Sequence, residues 1–370
     1  MKHVCIVCDG HWDQLQGGAE LQLDLLSRGL SESDFKVTYI CRDRGTGFTD
    51  NPVTVIGLKI APIVAKVFYP YQILLAGKLI RTLDRLNPDV IITRVASAFT
   101  GVCAYFGRSR DIPVVWHVAN ITDLIPPKRK LDRTYPMHML NNAAMKYGIR
   151  RVSHIVAQAQ YQDDLLKELF GRTADVIIPN FFPPMTAASA EKSSTSTVLW
   201  VANLKPKKRP EDFIWLAQQF LHVSNVEFVM VGRSDPSEYQ LKLQALIDDT
   251  RNLTYLGEVP VQKVNQLMAQ ACIFVNTSDV EGFPNTFIQA WMNQLPVVTL
   301  SFDPDSVLVD NTLGFCSGSK EQMRKDVTYL LENKADAKLM GERADAHAQA
   351  HHSIESNLSA YMSLIESVAK

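Results

Sequence analysis

The stretch Glu281-Gly282-Phe283-Pro284-Asn285-Thr286-Phe287-Ile288-Gln289 carries the residue types best suited to holding an anion. It follows an apolar run at 272–276 and opens a helix-forming segment. Gly282 lets the backbone approach a ligand closely, and Pro284 suits the first helical position, where an amide proton would be unpaired anyway. The free amides nearby form a site that a diphosphate would fit. The same residues also read as a buried turn in which Glu281 merely caps a helix. A second cluster, Asn203-Leu204-Lys205-Pro206-Lys207-Lys208-Arg209-Pro210, sets cations after the run 198–202. A preorganised cation stabilises negative charge that grows in a transition state.

Weaker candidates lie in the first half. Gly17-Gly18-Ala19-Glu20 precedes a helical pattern, and two glycines at a helix start can bring bare amides to a phosphate, although a plain tight turn has the same composition. His117 ends the apolar run 113–118 and Arg94 follows the run 90–93. A lone histidine at a strand end is more often packed or solvated than catalytic; Arg94 is a candidate for phosphate or acceptor contact. His351-His352 reads as an exposed helix end.

The elements that must position these residues alternate. Strand-like runs at 4–8, 36–41, 89–93, 114–118, 155–158 and 176–178 are separated by helical patterns such as 21–30, whose Leu23, Leu26 and Leu30 share one face. The pattern stops at Pro179-Asn180 and passes into 186–197, a Ser/Thr/Ala/Glu/Lys linker. It restarts with runs at 198–202, 226–231, 272–276 and 297–300, and helical segments close the chain. The expected fold is α/β: two doubly wound Rossmann-like domains facing a central cleft. The boundaries are 1–182 with a C-terminal helix of about 353–370 crossing back to the first domain, and 183–352 for the second. Ligands of such sheets bind in loops after the strands, where the candidate residues fall.

At 370 residues the chain is too long for one core, and 46% hydrophobic against 21% charged residues is the balance of a globular protein. A net charge of −1 argues against nucleic acid as a partner. The opening lacks the features of a signal peptide, and the most apolar stretch, 60–77, is broken by Pro62, Lys66 and Pro70, so no transmembrane helix is expected. The six cysteines are scattered, and Cys5 and Cys8, three apart in a strand, point to opposite faces, which leaves little case for a metal or redox pair.

The stretch 281–289 resembles the acidic motif of glycosyltransferase family 4, two glutamates eight positions apart around a Gly-Phe-Pro-type turn, with Gln289 here in place of the second acid. The resemblance implies that Glu281 grips hydroxyls of a donor sugar. Gly282, Phe283, Pro284 and Asn285 would meet its sugar and phosphates, and position 289 the ribose. Residues 203–210 look like the family's cationic segment, with Lys208 at the diphosphate-binding lysine and Asn203 where the family usually has arginine. Gly17 and Gly18 match its glycine-rich turn, and His117 its histidine that reaches the donor sugar. Val231-Gly232-Arg233 falls at a strand end, and the stretch 255–259 resembles the loop that holds the base.

What the resemblance implies is a bacterial-type retaining hexosyltransferase of the GT-B kind. It takes a nucleoside diphosphate sugar, uridine-linked, as co-substrate, and it needs no other cofactor. No essential metal is expected, because Lys208 and helix amides take its role and no Asp-x-Asp cluster stands in a plausible metal position. The acceptor is a glycan or lipid-linked molecule, and the setting is cytoplasmic. Peripheral contact at the inner membrane face would run through Tyr69-Pro70-Tyr71, Lys59, Lys66, Lys78 and Arg81, and the loop 126–130. An ordinary amphipathic helix and a solvated loop fit those residues as well. The rivals are a catalytically silent sugar-nucleotide-binding protein, favoured by Gln289 and Asn203, and a nucleotide-sugar epimerase or sugar phosphorylase of the same architecture. A nicotinamide oxidoreductase is discounted, because Gly-x-Gly-x-x-Gly follows no strand.

Overall fold

The computed structural model describes residues 1–14, 17–45, 47–48, 53–68, 70–125, 134–184 and 195–369. The chain divides into two compact units, Met1–Asn180 with Glu355–Lys370, and Phe181–Ile354. Most of the expected linker, Tyr69 and the loop 126–130 lie outside the described residues.

The first unit holds a parallel sheet of β1 (Lys2–Val7), β2 (Phe35–Arg42), β3 (Thr54–Leu58), β4 (Val90–Arg94), β5 (Val114–His117), β6 (His154–Ala157) and β7 (Val176–Ile177), in the order β3-β2-β1-β4-β5-β6-β7. Its central strands are continuous Val/Ile/Cys runs, because helices cover both faces and leave no solvated side to alternate with. The helix Gly18–Glu32 buries Leu23, Leu26 and Leu30, as their spacing requires. The helix Ile354–Val368 belongs largely to this unit, where Leu358 packs against Gly29 so closely that a Cβ there would stand 2.6 Å from it.

The second unit holds β8 (Ser196–Val201), β9 (Val226–Val231), β10 (Leu253–Tyr255), β11 (Ile273–Asn276), β12 (Val297–Thr299) and β13 (Gly314–Cys316), in the order β10-β9-β8-β11-β12-β13. Its core centres on Trp200, Phe213, Phe228 and Met230. Both sheets are doubly wound, as expected.

Four local readings change. The strands β3, β10 and β13 were not legible; each is short and lies at a sheet edge, so it lacks the long apolar run of a buried strand. The chain crosses between units at Asn180/Phe181 and Ile354/Glu355 instead of 182/183 and 352/353. The physical reason is that Phe182 pairs with Ser353 in a parallel bridge, so both segments belong to the second unit. Pro284 is not the first helical residue but the cap before Asn285–Met292, because its ψ of 117° is still extended. His352 is buried against Phe283 and Trp291, with ring centroids 4.9 and 5.7 Å away, and only His351 is exposed.

Candidate active site

In the second unit β8 and β11 are hydrogen-bonded neighbours, so the loops that leave their carboxyl ends must lie side by side. Two segments about 75 positions apart in sequence therefore meet: Asp279 N–H donates to Lys207 O (3.0 Å), Thr277 Oγ1 to Lys208 O (2.7 Å), and Trp200 Nε1 to Thr277 Oγ1 (2.9 Å). Arg209 adopts φ +48° and closes the turn by donating to Asp279 Oδ1 (3.0 Å) while pairing with Asp212 (2.5 Å), so its charge is used structurally. Lys205 and Lys207 stand exposed.

That scaffold delivers the Lys208 ammonium onto the Glu281 carboxylate as a largely buried ion pair, the two side chains 18% and 11% exposed. Glu281 is thus paired with the lysine on the neighbouring loop. Beyond it the cap of Asn285–Met292 is a proline, which brings no side-chain acceptor to the first-turn amides. Phe283 anchors the turn on Trp291 (6.0 Å between ring centroids). Gln289 is buried and donates from Nε2 to Asn265 Oδ1 (3.1 Å), which leaves its carbonyl as an acceptor.

Asn203 has a task that arginine could not perform. Its Oδ1 accepts from Arg233 N–H (3.2 Å), and Leu204 N–H donates to Arg233 O (2.8 Å), which stitches the loops after β8 and β9 together. Gly232 permits this approach: its φ is +149°, and a Cβ there would lie 1.7 Å from Ala202 O. Tyr255 Oη donates to Gly232 O (2.8 Å), which fixes the stretch 255–259 beside them.

In the first unit Arg94 and His117 end adjacent strands in direct register. Arg94 is not turned outward for a phosphate. Its guanidinium is buried, donating from Nη1 to His117 Nδ1 (3.0 Å) and from Nη2 to Asn180 Oδ1 (2.6 Å). The Tyr361 hydroxyl bonds to the same Nδ1. Burial, followed by the charge of Arg94, holds the His117 pKa well below the usual imidazole value. Asp123 is buried nearby, and burial pushes its pKa up to about 6 although it accepts from Ala119 N–H (2.8 Å) and Asn120 N–H (3.2 Å).

Gly17 caps Gly18–Glu32 with extended backbone, and the Glu20 carboxylate folds back on it: a Cβ on Gly17 would lie 2.3 Å from Glu20 Oε2. That helix start already faces a carboxylate of its own chain, and burial raises the Glu20 pKa.

One cluster escaped the sequence reading. After β1, His11 stacks on Trp12 (3.9 Å) and Asp9 pairs with Arg42 (2.6 Å), whose guanidinium lies over the Tyr71 ring (4.9 Å). Among the described residues, His11 Nε2, Trp12 Nε1, Asp9 Oδ1 and Arg42 Nε are buried without hydrogen-bond partners. The available signal was the pair His11-Trp12 at the carboxyl end of the first strand. Among the described residues no three His, Cys, Asp or Glu side chains converge as metal ligands.

Two parallel Rossmann-like sheets, with a lysine–glutamate pair beside a helix start in the second, define a glycosyltransferase of the GT-B architecture. Residues 16–184 match the family model described as Glycosyltransferase Family 4, and residues 183–347 the one described as Glycosyl transferases group 1; the chain belongs to this glycosyltransferase family. It is 23% identical over 211 residues to an alpha-galactosylglucosyldiacylglycerol synthase of Streptococcus pneumoniae, covering 52% of this chain and 56% of that one. It is also 23% identical over 232 residues to a trehalose synthase of Thermococcus litoralis, covering 56% of each. The chain thus spans about half the length of these curated relatives. Among solved structures, sucrose-phosphate synthase from Thermosynechococcus elongatus superposes with a TM-score of 0.78 at 14% identity over 99% of both chains. Anabaena HepE in complex with UDP-glucose gives 0.77 at 17% identity over 99% of this chain and 100% of that one. At such identities the superpositions establish the fold.

Proposed function

We propose that the chain transfers a hexosyl group from a uridine diphosphate sugar to a glycan or lipid-linked acceptor, with retention of configuration and without an essential metal. The observation that carries this reading is the Lys208–Glu281 pair at the start of Asn285–Met292. As the anomeric carbon–oxygen bond breaks, negative charge grows on the diphosphate, and Lys208 with the first-turn amides meets it; Glu281 accepts from sugar hydroxyls. The incoming hydroxyl attacks the anomeric carbon on the face the diphosphate leaves, and its proton passes to the departing phosphate oxygen. Arg233, whose main chain Asn203 holds, pairs its guanidinium with Asp235 (3.3 Å). HepE, solved with UDP-glucose, supports the uridine assignment.

The test is transfer from a panel of UDP, GDP and ADP sugars, with the product linkage read by NMR. Inverted linkage refutes retention, and activity lost to a chelator refutes metal independence. The silent-binder reading predicts nucleotide binding without turnover, and an epimerase would release an altered sugar nucleotide with no acceptor present.

We place the working protein on the cytoplasmic face of a membrane. Among the described residues no helix is long and apolar enough to cross one, but the helix Pro62–Val67 buries none of its residues. Ile63, Val67, Phe68 and Leu74 are exposed, beside Lys59, Lys66, Lys78 and Arg81, the pattern that rests on anionic lipid. Tyr71 instead packs under Arg42. Failure to co-sediment with anionic vesicles would dispose of this contact.

A further inference from the structure

The hydrogen bond between Arg94 and His117 has only one chemically allowed direction. A guanidinium carries five N–H donors and no acceptor, so with Arg94 Nη1 3.0 Å from His117 Nδ1 that ring nitrogen must be the acceptor. A neutral imidazole then carries its proton on Nε2. The Tyr361 hydroxyl, bonded to the same Nδ1, can turn its own proton toward it and does not oppose this choice. The result is a ring with no free lone pair: Nδ1 is occupied and Nε2 is protonated.

His117 Nε2 is itself buried and has no hydrogen-bond partner among the described residues. An unpaired buried donor is costly, and a fold tolerates one where a ligand completes the bond. The charged and titratable groups around the pair are Glu20, Asp123, Cys8 and Tyr361. Glu20 and Asp123 act electrostatically on Arg94, so they favour the guanidinium that fixes the ring.

We infer that Arg94 is a positioning residue that locks His117 in the Nε2–H tautomer, so that His117 presents a neutral hydrogen-bond donor to a bound ligand and does not act as a base. This rests on the proposed transferase reading for the identity of the ligand, but the tautomer is measurable without substrate.

The experiment is a long-range proton–nitrogen correlation on the full chain labelled with 15N-histidine, with His117 assigned by the signal missing in His117→Gln. The expected spectrum shows a protonated Nε2 and a bare Nδ1, unchanged from about pH 5.5 to 8. A proton on Nδ1, or titration in that range, overturns the inference, and the wild type alone decides it. Arg94→Met then tests the cause. The tautomer should become mixed or titrate, and kcat should fall at least tenfold toward that of His117→Gln, while the nucleotide-induced thermal shift is kept and Arg94→Lys recovers part of kcat. Tyr361→Phe should keep the Nε2–H form, and a change of tautomer there would transfer the role from Arg94 to Tyr361. If the tautomer holds but no sugar is ever transferred, the ligand assignment fails along with the transferase reading; a wrong tautomer leaves that reading standing.

Discussion

Lys208→Ala separates a donor-binding lysine from a basic loop residue, and its size can be worked out in advance. A hydrogen bond from an ammonium to phosphate contributes about 1.5–3 kcal/mol to binding, so removal should weaken UDP by roughly 10- to 150-fold. At a UDP concentration of about 100 Kd the wild type gains about 2.7 kcal/mol, which for a unit the size of Phe181–Ile354 is a rise of roughly 5–10 °C in Tm. If Kd rises about a hundredfold at the same concentration, ligand and Kd become equal, the gain falls to about 0.4 kcal/mol, and the rise shrinks to roughly 1–2 °C. Turnover should drop further, by about 10²–10³, because the charge Lys208 meets grows in the transition state. The variant also removes the charge partner of Glu281, whose side chain is 11% exposed, so its ligand-free Tm should fall as well. The ligand-induced increment is the diagnostic quantity for that reason. Equal increments in wild type and variant would refute the assignment of Lys208 to the diphosphate. No increment with UDP, GDP or ADP would remove the donor site altogether.

Three other substitutions test separate steps of the reasoning. Gln289→Glu should tighten UDP about fivefold in calorimetry, since a charged acceptor improves on a neutral one by about 1 kcal/mol; unchanged or weaker binding would remove position 289 from the ribose. Asp123→Asn should gain on the wild type as pH rises. The wild-type carboxyl has a folded pKa of about 6 against an ordinary 3.8, so it loses up to about 3 kcal/mol between pH 4 and pH 7 that the amide does not, as urea unfolding at several pH values would show. Gly232→Ala should destabilise the second unit by about 3 kcal/mol, because its Cβ would lie 1.7 Å from a backbone carbonyl that cannot step aside; an unshifted calorimetric transition would contradict the close approach.

What the sequence made legible was whatever depends on long runs and on order along the chain. The buried central strands and the helix carrying Leu23, Leu26 and Leu30 announce themselves by period, and the stretches 203–210 and 281–289 by their glycine, proline and charge. The short edge strands β3, β10 and β13 did not, because an edge strand has only a few residues to bury. Nor did the burial of His352: a pair of histidines closing a helix reads as solvated, and only the folded chain sets Phe283 and Trp291 against one of them. The same limit hid Asn180 and Tyr361, whose link to Arg94 and His117 joins positions up to 244 apart.

The departures from the family pattern are better understood as local exchanges than as decay. An arginine at 203 could not accept the Arg233 amide, whereas Asn203 does, and the strand end it secures carries a guanidinium of its own. At 289 the amide uses its donor on Asn265 and keeps its carbonyl as an acceptor, which a glutamate would do only if Asn265 turned its amide around. A chain losing its activity would be expected to lose the residues whose only use is with a ligand first. Here the lysine and the glutamate, held on adjoining loops by at least three hydrogen bonds from their neighbours, are both intact.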